Sequence, residues 1–197
     1  MPYMNSFSAR QAAELNRQKS HLRSALRRRR DQLSPQERRA ASQGLAASVS
    51  SIPALAQAQY VASYESWPSE PGTDVLNALL LQRGISLLLP ALGTGRDLAW
   101  RLAGHGADAC DVLPAPALGR ADVIILPALA VDASGTRLGQ GAGWYDRMLP
   151  HARADALTLA LVYDHEYGGP DASALPRMPH DLPVKAVATP SMWRLCH

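Results

Sequence analysis

Residues 124–149 read IILPALAVDASGTRLGQGAGWYDRML. With Val123 before it, the segment opens on consecutive apolar residues. A strand over 123–126 is therefore buried on both faces, as central parallel strands are. Glycines follow at 135, 139, 141 and 143, and a helix is expected over 144–153. Buried strand, glycine-rich loop and helix are the parts of a parallel α/β fold. Glycine lets backbone N–H groups approach a ligand closely and reach positive φ. A helix N-terminus beyond them adds the positive end of its dipole, which suits phosphate. Arg137 can supply a charged fork, and Asp146, in the first helical turn, can hold Mg²⁺ beside phosphate oxygens. A flexible turn with a helix cap is the plainer reading of the same glycines.

The flanking chain repeats the alternation. Upstream, a strand over 60–64 leads to a helix capped by Thr73 and closed by Gly84. A strand over 85–89 is stopped by Pro90, and a short strand is expected over 98–102. Downstream come a strand over 158–163, a Gly/Pro-rich loop over 164–183 and a last strand over 184–188. Near the N-terminus, Leu22, Ala25, Leu26 and Leu33 are helically spaced from about Gln18. Ser34-Pro-Gln-Glu37 is a capping box for a second helix, with Ala41, Leu45 and Val49 as its buried stripe. The expected fold is α/β: a three-layer α/β/α, open, mostly parallel sheet, Rossmann-like but without a dinucleotide fingerprint. From Gly141 and Gly143 the third glycine position holds Asp146, and no Walker sequence occurs. Residues 1–17 are expected as a loose extension and 18–197 as a single catalytic domain.

Composition narrows the function. The chain has 197 residues, 47% hydrophobic and 19% charged, which excludes wholesale disorder. Cys110 and Cys196 form no C-x-x-C pattern, and the six histidines show no H-x-x-x-H spacing. The longest apolar run, 123–131, contains Pro127 and is too short to span a bilayer. No apolar signal core precedes it, so a cytoplasmic protein without a membrane partner, a monomer, is expected. Net charge is +3, yet residues 1–40 carry ten basic and three acidic groups. Eighteen of the twenty basic residues are Arg, which reads first as coding bias. Lys19 and Arg23, four apart, can reach one anion. The Arg27–Arg30 run points around its helix. Residues 8–59 lack any aromatic to interleave with it, so no nucleic-acid partner is expected.

Two further segments can bear chemistry. Glu70 and Thr73 follow Trp67-Pro68 at the end of the first strand, where α/β sheets bind ligands. Glu70 can accept hydrogen bonds from a heterocycle, or simply favour a helix start. In Pro179-His180-Asp181, Asp181 can be a second Mg²⁺ carboxylate, and His180 reads as an exposed loop residue. No G-x-S-x-G supports a serine nucleophile.

The run Leu126-Pro127, Asp132, Gly135, Arg137-Leu138-Gly139, Gly141, Gly143, Tyr145-Asp146-Arg147 resembles the signature of the 5-formyltetrahydrofolate cyclo-ligase (5,10-methenyltetrahydrofolate synthetase) family. Lys19-x-x-x-Arg23, Ser34-Pro-x-Glu-Arg, Glu70-x-x-Thr73 and the 175–181 loop resemble further family segments in the same order. The resemblance implies ATP-dependent, Mg²⁺-dependent cyclisation of 5-formyltetrahydrofolate to 5,10-methenyltetrahydrofolate. It implies ATP contacts from Lys19, Arg23, Arg137, Leu138, Gly139 and Gln140. It adds Gly141, Ala142, Gly143, Trp144 and Tyr145 to these. Folate contacts are implied for Glu70, Gly141, Gly143, Trp144 and Tyr145, metal contacts for Asp146 and Asp181, and catalytic roles for Arg137, Tyr145 and Asp146. Gln140 and Ala142 stand where some members carry a basic residue, Trp144 where Tyr is frequent, Glu166 where Gln is common, and Lys185 where Asp is frequent. A sugar-phosphate or CoA-ester enzyme on a similar sheet is the alternative, and a nucleic-acid-binding protein using the Arg-rich helix a lesser one.

Overall fold

The structure is a computed structural model and describes residues 8–91, 99–104, 112–168 and 174–197. In chain order the elements are α1 (Ala9–Asp31), α2 (Pro35–Ser50), β1 (Tyr60–Ala62), α3 (Asp74–Gln82), β2 (Ser86–Ala91), β3 (Ala99–Ala103), β4 (Val112–Pro114) and β5 (Val123–Pro127). The remainder are β6 (Ala130–Val131), β7 (Arg137–Leu138), α4 (Trp144–Met148), β8 (Leu157–Leu161), β9 (Ala186–Ala188) and β10 (Trp193–Leu195).

Eight strands form one sheet in the order β10-β9-β8-β5-β1-β2-β3-β4, and β6 pairs with β7 in a separate two-stranded ribbon. The five central strands are parallel; at the edges β3 and β10 run against them, and β4 pairs antiparallel with β3. The apolar run over 123–126 accounts for the middle of this sheet. Val123 and Ile125 face a core shared with Leu45 and Val49 of α2 and Leu76 and Leu80 of α3. Ile124 and Leu126 face the opposite core, with Leu118, Met148 and Trp100. Period-two alternation thus feeds two hydrophobic layers at once. Pro90 does not stop β2. It lies past the last β1 pair, Ala62 with Leu88, so its missing N–H forfeits no bond to β1.

The N-terminal expectation needs correction. The chain is helical from Ala9, not loose through residue 17. Ser8 and Gln11 form a capping box: the Ser8 side chain accepts from the Gln11 N–H, and the Gln11 side chain accepts from the Ser8 N–H. Leu22 and Leu26 then seat α1 on Leu129, Ala130 and Leu138 of the β6–β7 ribbon. The helix expected over 144–153 is also shorter. α4 has five residues, and Pro150 falls in the 3₁₀ turn Leu149–His151 that follows. So brief a helix contributes less dipole than expected. No described helix is long and apolar enough to cross a membrane. Cys196 is a free, half-buried thiol; Cys110 and residue 98 lie outside the described residues.

Candidate active site

Connections leave β1 towards β2 on one side, while the chain later returns to place β5 on the other. The carboxyl ends of β1 and β5 therefore part, and ligands of open α/β sheets bind at such a switch point. A cleft of about 410 Å³ opens there. Tyr64, Glu65, Trp67 and Glu70 border it from the β1 side, and Pro127 from the end of β5. The loop over 139–143 and α4 form another wall, and α1 with the 178–181 segment crosses over it.

The loop is shaped by the hairpin before it. The Asp132 carboxylate accepts the Ser134 and Thr136 N–H groups, each at 3.0 Å, and the Leu175 N–H at 2.9 Å. Gly135 turns this hairpin with φ 78°, and a Cβ there would lie 2.2 Å from the Val184 carbonyl. That glycine therefore serves close packing of chain on chain. Gly143, with φ 66°, makes the left-handed turn that starts α4. The N–H groups of residues 139–143 have no backbone acceptor among the described residues.

Of the residues expected in the site, Lys19, Arg23, Glu70, Arg137, Asp146 and Asp181 all border the cleft. So do Gly139, Gln140, Gly141, Ala142, Gly143, Trp144 and Tyr145. Leu138 does not: its side chain is buried beneath α1 with Leu26 and Leu129. Thr73 is also buried, and its hydroxyl donates to the Tyr64 carbonyl at 2.6 Å.

Two ion pairs face the opening. Arg137, buried, donates to Asp146 at 2.5 Å, and Lys19 pairs with Asp181. Burial pushes the Asp181 carboxyl up, but the Lys19 ammonium, the Met178 N–H and nearby His180 outweigh it and hold it below the ordinary aspartate value. Burial lowers the Arg23 guanidinium, and neighbouring Arg27 adds to this, yet an arginine remains charged. Both Lys19 and Arg23 therefore present positive charge to the cleft.

Aromatic and acidic side chains also line the cleft. Trp100, fully buried, meets Trp144 edge-on at 5.1 Å, and Trp144 meets Tyr145 at 4.8 Å. Burial, aided by the Glu70 carboxylate, pushes the Tyr145 phenol well above its ordinary value, so it stays a neutral donor. Glu70 is buried; its carboxylate accepts the Trp67 N–H at 3.0 Å and the Gln140 side-chain amide at 3.3 Å.

The sequence reading overlooked several residues. Trp67, two-thirds exposed, and Met178 border the cleft. Arg27 and Arg30 also engage the site's surroundings. Lys19, Arg23, Arg27 and Arg30 recur at intervals of four, four and three, one face of α1. Arg27 donates to the Gln140 carbonyl at 2.6 Å, and Arg30 is fully buried against Glu166. That spacing was the available signal. Arg23, Arg27 and Arg30 are thus bonded within the protein, whereas Arg28 and Arg29 are exposed.

A mostly parallel α/β sheet thus carries, at its switch point, a cleft lined by cationic, glycine and aromatic residues. The chain belongs to the 5-formyltetrahydrofolate cyclo-ligase family, whose model matches residues 15–190. The 5-formyltetrahydrofolate cyclo-ligase of Mycolicibacterium smegmatis is 37% identical over 88% of this chain and 94% of that protein. The enzyme of the same name from Escherichia coli (strain K12) is 32% identical over 85% of this chain and 98% of that one. Among solved structures, the 5,10-methenyltetrahydrofolate synthetase of Aquifex aeolicus matches with TM-score 0.73 and 26% identity, covering 90% of this chain and 92% of that chain.

Proposed function

We propose that the chain converts 5-formyltetrahydrofolate and ATP into 5,10-methenyltetrahydrofolate, ADP and phosphate. One observation carries this reading: a single cleft joins an anion wall, of Lys19, Arg23, Arg137 and the free loop amides, to a heterocycle wall of Glu70, Trp144 and Tyr145. The two relatives of that name, similar over most of the chain, support it.

In this reading the formyl oxygen of the folate attacks the γ-phosphorus and ADP leaves. The imidoyl phosphate so formed has a phosphate ester where the formyl oxygen was. The neighbouring folate nitrogen, N10, attacks its carbon and loses its proton. The C–O bond then breaks, and phosphate carries the oxygen away. No protein nucleophile is needed; the work is positioning and neutralising charge on the transferring phosphoryl group. Lys19, Arg23 and Arg137 supply that charge, and the loop amides add donors. Glu70 accepts hydrogen bonds from the pterin N–H groups, and Trp144 and Tyr145 exclude water from the ring.

The residues present fit Mg²⁺ on the terms that ion prefers, one or two carboxylates completed by phosphate oxygens. Asp146 and Asp181 both face the cleft, so these two would hold it. The ion would neutralise phosphate charge there.

An absorbance assay at the methenyl product's near-ultraviolet band tests the reading. The signal is expected to require both MgATP and the folate. Asp146→Ala should lower kcat about 10²-fold or more. Folded protein that gives no methenyl product with both substrates rejects the reading.

A further inference from the structure

α1 holds the glycine loop by its carbonyls. Arg23 Nε donates to the Gly139 carbonyl at 2.8 Å, and Arg27 Nη2 donates to the Gln140 carbonyl at 2.6 Å. In a trans peptide the C=O and the following N–H point in opposite directions. Two carbonyls drawn towards α1 therefore turn the N–H groups of Gln140 and Gly141 away from it. Arg27 also bonds the side chain of the same glutamine, Nε to Oε1 at 3.3 Å. With its oxygen so engaged, the Gln140 amide directs its NH₂ at Glu70, Nε2 to Oε1 at 3.3 Å. The other Glu70 oxygen accepts the Trp67 N–H. A continuous path thus runs from Arg27, exposed on α1 and outside the cleft, through Gln140 to the carboxylate inside it.

We infer that Arg27 is a positioning residue that acts through Gln140: it sets the loop amides that face the nucleotide phosphates and orients Glu70 for the folate ring. The inference rests on the proposed function. One guanidinium spans two acceptors of one residue, a task suited to its rigid fork and ill suited to the ammonium of lysine. A consequence is that the two substrate sites share a support, so loosening it weakens both.

Steady-state kinetics with each substrate varied in turn tests this, with thermal unfolding of every variant alongside. Arg27→Met is expected to raise KM for both the folate and MgATP about fivefold, with kcat within about twofold, as loss of one or two hydrogen bonds predicts. Arg27→Lys, which keeps the charge and one bond, should recover most of the MgATP effect and less of the folate effect. Gln140→Ala should raise the folate KM similarly, and Arg27→Met in that background should add nothing further to the folate KM, though it should still raise the MgATP KM through the Gln140 carbonyl it releases. Arg28→Ala, an equal charge loss at an exposed neighbour, should leave both constants unchanged. An unchanged folate KM in Arg27→Met, folate effects that multiply in the double variant, or an Arg28→Ala enzyme that matches Arg27→Met would each overturn the inference. Wild-type protein without turnover would instead reject the reading on which it rests.

Discussion

Lys19 and Arg30 stand on one face of α1, about three turns apart, and each meets a carboxylate from the C-terminal part of the chain. Their surroundings differ. Arg30 and Glu166 are both 0% exposed. The Glu166 carboxylate receives Arg30 Nε at 2.7 Å, Arg30 Nη2 at 2.8 Å and the Tyr163 N–H at 2.9 Å. The Arg30 guanidinium also lies 5.4 Å from the Tyr163 ring centre. That carboxylate has no room for a ligand. Lys19 and Asp181 pair at the cleft, with side chains 7% and 14% exposed. The Lys19 ammonium has three protons and one described acceptor, and Asp181 Oδ1 accepts no hydrogen bond among the described residues, with His180 Nε2 3.9 Å away. The same chemistry on the same helix face thus does two jobs. Where the pair is dry and its carboxylate fully engaged, with only Arg30 Nη1 left without a partner among the described residues, it ties elements together. Where positions are left open to a cleft, the pair can exchange a partner for a substrate phosphate.

The comparison breaks first at its buried end. Glu166→Ala leaves the Arg30 guanidinium buried without its carboxylate, which costs about 3–5 kcal/mol. For a chain of this size the melting temperature should fall by roughly 6–20 °C. Calorimetry that finds no drop removes the structural role assigned to Arg30. At the open end the pattern should reverse. Lys19→Met should raise KM for MgATP about tenfold, while the melting temperature moves by less than about 3 °C, because Asp181 borders the cleft and keeps the Met178 N–H. A large stability loss with unchanged KM would make Lys19 another Arg30.

The smallest expected effect comes from a carboxylate remote from both. Asp122 accepts the Gln59 N–H at 2.7 Å and the Tyr60 N–H at 2.9 Å at the start of β1, with Arg153 at 3.1 Å. Burial pushes its carboxyl up, but the two amides and Arg153 outweigh this and hold it below the ordinary value. A depressed folded value stabilises the fold at pH above the unfolded aspartate value of about 3.9, and the gain is lost as pH falls through the folded value. Asp122→Asn should therefore melt about 1–3 °C below wild type at pH 7, with the gap closing under acid. A gap that persists unchanged well below pH 3 would assign the effect to geometry rather than charge.

Local signals carried much of the fold. The buried strand at 123–127 and the capping box at Ser34 stand where their residues imply, because each is set by neighbours in sequence. The start of α1 had the same kind of signal in Ser8 and Gln11, overlooked for want of an apolar stripe beside it. The β6–β7 ribbon and β10 are of another kind. Two- or three-residue strands carry no periodicity of their own and exist through their pairing. In the site, glycines, Arg137 and Asp146 were legible because they lie within twelve residues of one another.

What the sequence by itself determined is therefore the family, the parallel α/β class and the set of groups gathered around residues 137–146, since period-two burial, glycine spacing and capping act over short range. Tertiary structure alone decided what each charge on α1 does. Arg30 meets Glu166 across 136 residues and Lys19 meets Asp181 across 162. A charge in the sequence is an unassigned donor. Whether it becomes a structural tie or a ligand contact depends on how much water, and how many acceptors, the fold leaves around it.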